Sequence, residues 1–543
     1  MRRFVTAFAA IVVVIVIAAP PASAVGPGGW DRVGHGATST VASLNGAVYA
    51  LNTQRSGVLY AGGAFTSAGG HTKAQRIAAW NGTSWSSLGN TPITNGAVHA
   101  IAYDAAHSRV FVGGTFLNAG GHASADFLAV WNGSTWAPFC NPTIPGNAPF
   151  TANVNALQIV GNNLYVGGSF ANGAGIDAAD YLVRCNLTTG VASATVDSIA
   201  HAFGGGVYAL TADSNGTLYA GGQFIDLEGV AAADHVAVYD GNVTWQPMGS
   251  TQPSGAAVDS YVRSLAAHGT DVYIGTDSLN VAGIANADHV ARWNGTSWSA
   301  VGSNSAGTNG WFPASAYINA LATYGSVVIA AGYFQNANGT AAADDIAYFD
   351  GGHWRPIGTN GAGNGPLSAH PAALGVTGGK VYAGGPFTSA GGDSLAEYLA
   401  SYALRQPDAS IGSSSTGPFV GNNVYSATGV GETRRVTVAR GRHVRSYFRI
   451  QNDGLVAASF QIKGAGGARG IAVRYYRGTT NVTSRVRAGT YSTGNISARA
   501  SILLRVVVTV ARSSATRATF TTTCTSTTGT PRDATRLRVR ATS

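Results

Sequence analysis

A string of about fifty residues returns seven times, and no other feature restricts the fold of this chain as much. The first copy reads Val48-Tyr-Ala-Leu51, Leu59-Tyr-Ala-Gly-Gly-Ala-Phe65, Ala68-Gly-Gly70, then Ile77-Ala-Ala-Trp80-Asn-Gly-Thr-Ser-Trp85. The second returns as Val98 to Ile101, Phe111 to Phe116, Ala119 to Gly121 and Leu128 to Trp136. The second Gly of Gly-Gly-x-Phe stands at 63, 114, 168, 222 and 385, and Thr276 and Gly332 hold its place in two degenerate copies. The steps are 51, 54, 54, 54, 56 and 53 residues. A unit this short cannot bury its own apolar face and must stack on its neighbours. Each copy carries four short strand-like runs, which is the pattern of a propeller blade.

Within a copy, the Val-x-Ala-Leu run should be innermost. Leu-Tyr-x-Gly-Gly comes second. The third run ends at the Trp or Tyr before Asn-Gly, and the fourth begins at the second Trp. Asn-Gly is the strongest short hairpin signal, because a type I′ turn needs positive φ at both central residues. The paired glycines admit a neighbouring sheet or a bulge. The Phe and the Trp pair read as core between sheets. The seventh copy, Val381 to Phe387 and Tyr398 to Leu404, has no Trp-bearing fourth run. Gly28-Gly29-Trp30-Asp31-Arg32-Val33-Gly34 matches that missing run, so the N-terminal strand should complete the last blade and leave no open edge.

These motifs, over roughly residues 28 to 404, resemble the repeat of the fungal cortical cell-polarity marker and of exported bacterial propellers. More broadly they are similar to kelch propellers such as that of galactose oxidase. The resemblance implies a fold rather than an activity. The copper-binding Tyr, His and Cys set of galactose oxidase cannot be placed on this sequence.

The ends carry different signals. Arg2 and Arg3, the apolar run Phe4 to Ala19, and Ala22-Ser23-Ala24 have the form of a cleaved signal peptide over residues 1–24. The run is shorter than the ~20 apolar residues a membrane span needs. A secreted chain, associated with a cell wall or free, with no membrane span after cleavage, is the expectation. Three Lys against 30 Arg suggest a GC-rich bacterial gene. Residues 25–404 are assigned to the propeller. Residues 405–431, rich in Ser, Gly, Asn and Thr, read as a linker. Residues 432–543 carry 20 basic and three acidic side chains, net +17, in strand-like runs that suggest an immunoglobulin-like β-sandwich. The stretch Tyr475 to Thr483, with Ala488 to Tyr491, resembles C-terminal sandwich domains of exported bacterial proteins, a resemblance that implies no activity. The fold expected overall is all-β: a seven-bladed propeller closed by its N-terminal strand, then the sandwich.

Candidate chemistry is sparse. An acid precedes the third run at Asp126, Asp180, Asp234, Asp288, Asp344 and Glu397. The plain reading is a turn-capping carboxylate. The alternative is a ring that binds a cation or sugar. An acid repeated in nearly every blade is unlike a catalytic pair, whose members need different surroundings. The histidines, among them His71, His122, His235 and His289, show no metal-ligand spacing, and no metal or cofactor is expected. Asn-x-Ser/Thr sequences such as Asn81, Asn132 and Asn294 read as hairpin turns. Cys140 and Cys185 are a candidate disulfide, which leaves Cys524 free or paired between chains.

In a four-stranded meander, alternate connections share an edge. The interblade loops therefore share one face with the loops between second and third strands. The longest interblade loops, Asn141 to Asn153, Ser303 to Tyr317 and Thr359 to Pro371, carry Phe150, Trp311, Phe312 and Tyr317. With the repeated acids, these rings form the candidate ligand-binding set, unless they only pin their loops. The leading expectation is a non-catalytic adhesion or binding protein for a surface glycan or protein. Its basic domain would tether it to an anionic wall polymer, with no physiological nucleic acid partner. The alternative is a secreted carbohydrate-active enzyme, a hydrolase or lyase, with its site on the loop face.

Overall fold

The computed structural model describes residues 29–34, 42–140, 149–177, 179–193, 204–227, 232–239, 241, 245–249, 255–513, 515–527 and 531–543. The expected signal segment lies outside the described residues, as do 141–148 of the first long interblade loop and Asn242. Among the described residues no helix is long and apolar enough to cross a membrane.

From Trp30 to Ala403 the described chain forms seven four-stranded antiparallel sheets. The first contains Val48–Asn52, Leu59–Gly63, Ile77–Trp80 and Trp85–Ser87 in that order, and the others repeat the meander. The first strand of each sheet packs on the first strand of the next. Ala373–Thr377 of the last sheet packs on Val48–Asn52 of the first, so the sheets succeed one another like propeller blades and return to their start.

The repeat motif explains this spacing. A Cβ on Gly62 would run into the side chain of Val98 in the next sheet, and one on Gly384 into Val48 in the first. The residue before the third strand is held at positive φ in every copy. Arg76, Phe127, Tyr181, His235, His289, Asp345 and Tyr398 all lie between 61° and 63°. Such a backbone is unfavourable for a residue with a Cβ, and two hydrogen bonds hold it. Arg76 N–H donates to Phe65 O at 2.9 Å, and Gly63 N–H donates to Arg76 O at 2.9 Å, a pattern that each copy repeats. Indoles then join the sheets. Trp136 Nε1 donates to Leu88 O of the preceding sheet at 3.1 Å, and Trp354 Nε1 to Val301 O at 2.5 Å.

The strand Trp30–Arg32 takes the fourth place in the seventh sheet. It pairs antiparallel with Leu399–Ala403, Trp30 opposite Tyr402. Trp30 is fully buried, and its Nε1 donates to Ile357 O of the preceding sheet at 3.0 Å, as Trp354 and Trp136 do in theirs. Lys380 Nζ reaches Asp31 Oδ2 at 2.9 Å, and Arg32 pairs with Asp393. A disulfide joins Cys140 to Cys185, Cα atoms 5.3 Å apart, tying the second sheet to the third.

Two further sheets, of seven and five strands, enclose one core with Phe448, Leu504, Phe460 and Phe520 inside. Residues 405–431 are not a free linker. Pro407–Gly412 is a buried strand of the larger sheet, beside His443–Asn452, and Phe419–Val420 adds to its edge. Their polar composition hid an alternation in which Ala409 and Ile411 face the core. Cys524 is free and buried in that core, so pairing between chains would require opening it. The sandwich docks on the last sheet. Leu455 packs with Leu404, Tyr402 Oη donates to Asp453 O at 2.8 Å, and Arg499 donates to Pro356 O at 3.0 Å.

The acids of this half are inside it. Asp408, Glu432, Asp453 and Asp533 are all buried, and Arg449 stands 3.8 Å from Asp408. Tyr425 Oη donates to Asp453 at 2.8 Å, and Ala409 and Ser426 N–H donate to Asp533 at 2.6 and 2.7 Å. Burial, then Asp453 and Asp533, pushes the Asp408 carboxyl up to about 8. Burial, then Asp533, pushes Glu432 up, and burial pushes Asp533 up.

Two predictions follow from this architecture. Removing a buried indole costs about 3–5 kcal/mol, so Trp30→Ala should lower the urea midpoint strongly, and an unshifted midpoint would contradict closure by this strand. The raised carboxyls supply stability that is complete below their unfolded values near ~4 and is lost as pH rises through about 8. The sandwich should therefore melt at a lower temperature at pH 9 than at pH 5, with Asp408→Asn flattening the difference. A melting temperature that rises across that window would refute this reading.

Candidate functional site

The loop aromatics are core residues. Trp311 and Phe312 are 6% and 5% exposed, and Phe150 is 2% exposed. Phe312 packs edge-on against Phe334 and Trp354, and Phe150 against Phe170 at 4.7 Å. They pin their loops, and little of each ring is exposed. Their position in long loops suggested exposure, but all three belong to buried hydrophobic clusters. Of the four rings only Tyr317 is partly open.

The repeated acids cap turns. Oδ1 of Asp126, Asp180, Asp234, Asp288 and Asp344 accepts from the N–H eight residues earlier, at Asn118, Asn172, Asp226, Asn280 and Asn336, over 2.6–2.8 Å. Those five donor residues lie at positive φ, which Asn and Asp tolerate best. Asp288 and Asp344 also accept from Gly310 and Gly365 N–H through Oδ2. The structure keeps these acids one per repeat, and Glu397 forms no such bond among the described residues. Asp288, Trp311 and Phe312 come together in the lining of a depression of about 420 Å³, with Asn280, Asn304 and Asn338. Asn304 and Asn338 are already bonded to Thr308 and Ser305.

A different set of side chains converges. In six of the seven sheets the register of first and second strands slips by one residue, leaving Tyr49, His99, Asn155, Tyr208, Arg263 and Asn319 bulged. A bulge re-aims a side chain and is enriched beside binding sites. The bulged residues lie at one end of the inner strands, and Tyr49, Asn155, Tyr208 and Arg263 reach toward the next repeat. Tyr49 stacks on His99, centroids 5.1 Å apart and planes 2° from parallel. Asn155 Nδ2 donates to Ser169 Oγ at 3.2 Å. Tyr208 Oη donates to Gln223 Oε1 at 2.5 Å, and its ring meets the edge of Tyr261. Arg263 holds both oxygens of Asp277, at 2.6 and 2.8 Å, and lies 4.9 Å from the Tyr317 centroid. Tyr317 stacks on Tyr333 at 5.3 Å, with His370 edge-on to both.

The ring is open. Tyr333 is 43% and Tyr261 37% exposed, and the bulged residues are half-buried. Burial holds His99 below the usual histidine range and pushes Tyr208 up. The arrangement offers aromatic faces, amides, hydroxyls and one guanidinium. Tyr317 alone belonged to the sequence-derived set. The signal for the rest was visible in Val-x-Ala, where x changes between Tyr, His, Asn and Arg while its neighbours stay almost constant. Among the described residues no group of three or more His, Cys, Asp or Glu side chains is placed to hold a metal.

No protein-family model matches this chain, and no curated protein matches it. Solved structures overlap it only in part. A family 123 glycoside hydrolase from Clostridium perfringens aligns over 25% of this chain and 27% of its own, at 8% identity and TM-score 0.18. The SrpA adhesin of Streptococcus sanguinis aligns over 20% of this chain and 55% of its own, at 18% identity and TM-score 0.13. The sialic acid binding region of another adhesin from that species aligns over 31% and 37%, at 11% identity and TM-score 0.15. The chain thus spans about a quarter of the hydrolase's length. So partial a likeness identifies neither fold nor function.

If Trp311 is core, Trp311→Ala should cost about 3–5 kcal/mol. An unchanged urea midpoint would return that ring to the surface.

Proposed function

We propose that this chain is a secreted, seven-bladed β-propeller closed by its N-terminal strand and followed by an immunoglobulin-like sandwich, and that it binds rather than transforms its ligand. The ligand is a glycan or glycan-bearing surface protein, taken at the ring of bulged residues. The observation that carries this reading is the open cluster of Tyr208, Tyr261, Tyr317 and Tyr333 among Asn155, Gln223 and Arg263. Flat rings cover the apolar faces of sugars, while a few placed polar groups fix orientation. The rings already stack on or edge one another, so little side-chain freedom remains to be lost on binding. A glycoside hydrolase needs a carboxyl group that donates a proton to the leaving oxygen. Asp277 accepts from Arg263 through both oxygens, an arrangement that favours its ionised form as an anchor for the guanidinium.

The basic domain supplies the second half of the proposal. Residues 432–543, with 20 basic and three acidic side chains, hold the protein on an anionic wall polymer while the ring faces the ligand.

A glycan array on the mature protein tests the first half. Tyr261→Ala and Tyr333→Ala should each weaken the best array ligand by about tenfold, roughly 1.4 kcal/mol, with the melting temperature unchanged. Full affinity in both variants would remove the ring from the site. An array without any bound glycan would count against sugar recognition altogether.

A further inference from the structure

The tether reading leaves open where on the domain a polymer would lie, and the smaller sheet of the sandwich supplies an answer. Along Arg532–Thr542, Leu537, Val539 and Ala541 enter the core, and Arg538 and Arg540 alternate with them on the exposed face. The neighbouring strand Thr433–Ala439 runs parallel and places Arg435 beside Arg538. On the other side Arg517–Ser526 places Arg517 beside Arg540 and Thr519 beside Arg538. Arg532 and Lys463 extend the same face. Arg435, Lys463, Arg517, Arg532, Arg538 and Arg540 are all exposed, and none makes an ion pair with a carboxylate among the described residues.

Two features make this more than a solvated surface. Like charges directly opposite each other across strands are destabilising, yet Arg435/Arg538 and Arg517/Arg540 are two such pairs on one sheet. No acid on the domain's own surface relieves them. Its acids, Asp408, Glu432, Asp453 and Asp533, are all buried. The propeller does not relieve them either, since docking runs through Leu455, Asp453 and Arg499.

We propose that this face binds a linear polyol-phosphate polymer. Strands about 4.8 Å apart, carrying outward residues about 6.8 Å apart, form a flat grid on which successive phosphates can each meet a guanidinium fork. Threonine hydroxyls at 437 and 519 stand between the forks. The sheet's outward residues include no aromatic ring, so neither bases nor sugar rings find a stacking surface. What remains readable is charge and hydroxyl, which a phosphate-linked polyol offers and a nucleic acid or polyuronate offers only in part. The larger sheet differs, because its outer face mixes arginines with Tyr447 and Tyr476.

This inference rests on the tether reading and can fail separately from it. The full mature protein is titrated with poly(glycerol phosphate), polygalacturonate and single-stranded DNA over a salt series. The variant Arg435→Gln/Arg538→Gln/Arg540→Gln is compared with Arg445→Gln/Arg474→Gln/Arg477→Gln on the larger sheet, which removes the same charge. The first variant should weaken poly(glycerol phosphate) at least tenfold at low salt. It should also flatten the dependence of log Kd on log salt by roughly 2, taking about 0.7 per lost contact. The second should change little. Equal losses in both variants would mean that net charge, not this face, does the binding. Equal affinity of the wild type for all three polymers would overturn the polyol-phosphate assignment. If the wild type binds none of them at low salt, the tether reading falls and this inference with it.

Discussion

Everything in the larger half of this protein depends on how close one sheet can come to the next. The first Gly of the Gly-Gly pair has no Cβ because the next inner strand occupies that space, Val98 against Gly62 and Val48 against Gly384. The last contact is the same as the first, which is why the succession of sheets ends where it began. A larger residue at these positions would widen one gap and carry the error around the ring. Interiors are packed too densely to absorb it. The indole bonds follow from that spacing. They bring a donor and an acceptor together only because neighbouring sheets sit at a fixed separation.

Closure needs one more element. A four-stranded sheet whose fourth strand is missing exposes a row of unpaired backbone groups. The N-terminal strand fills that row through an indole that copies its counterparts in other sheets, Trp30 to Ile357 as Trp354 to Val301. The two ends of the repeat region are thus held in one sheet. That sheet is also where the sandwich docks, through Tyr402 and Leu404.

The repeats, the strand order and the exchange strand were readable in the sequence because they depend on local patterns that recur: Asn-Gly turns, Gly pairs and Trp at fixed offsets. The candidate site was less readable. Trp311, Phe312 and Phe150 stand in long loops, and nothing local says that a loop folds inward. Their burial is a tertiary outcome, set by the rings they pack on, Phe170, Phe334 and Trp354. The aspartates were read as turn caps, and five of them sit so. The strand Pro407–Gly412 was hidden for another reason. Its polar residues, Asp408 and Ser410, are buried at an internal junction instead of facing water, so the alternation of apolar and polar residues carried no usable sign of exposure.

The contrast between the aspartates and the bulged residues is where a functional reading becomes possible. Both positions recur around the ring, and both are fixed by the same backbone. At the first, chemistry recurs with position, because each turn has the same amide to satisfy. At the second, the backbone recurs while the side chain changes from Tyr49 to His99, Asn155, Tyr208, Arg263 and Asn319. Stability of the repeat cannot demand four different residue types at six equivalent places. A ligand can, since any molecule lying across the opening of a pseudo-symmetric ring meets each repeat from a different direction. Symmetry in the scaffold with asymmetry at the bulge fits the proposed role, a surface that recognises something less symmetric than itself.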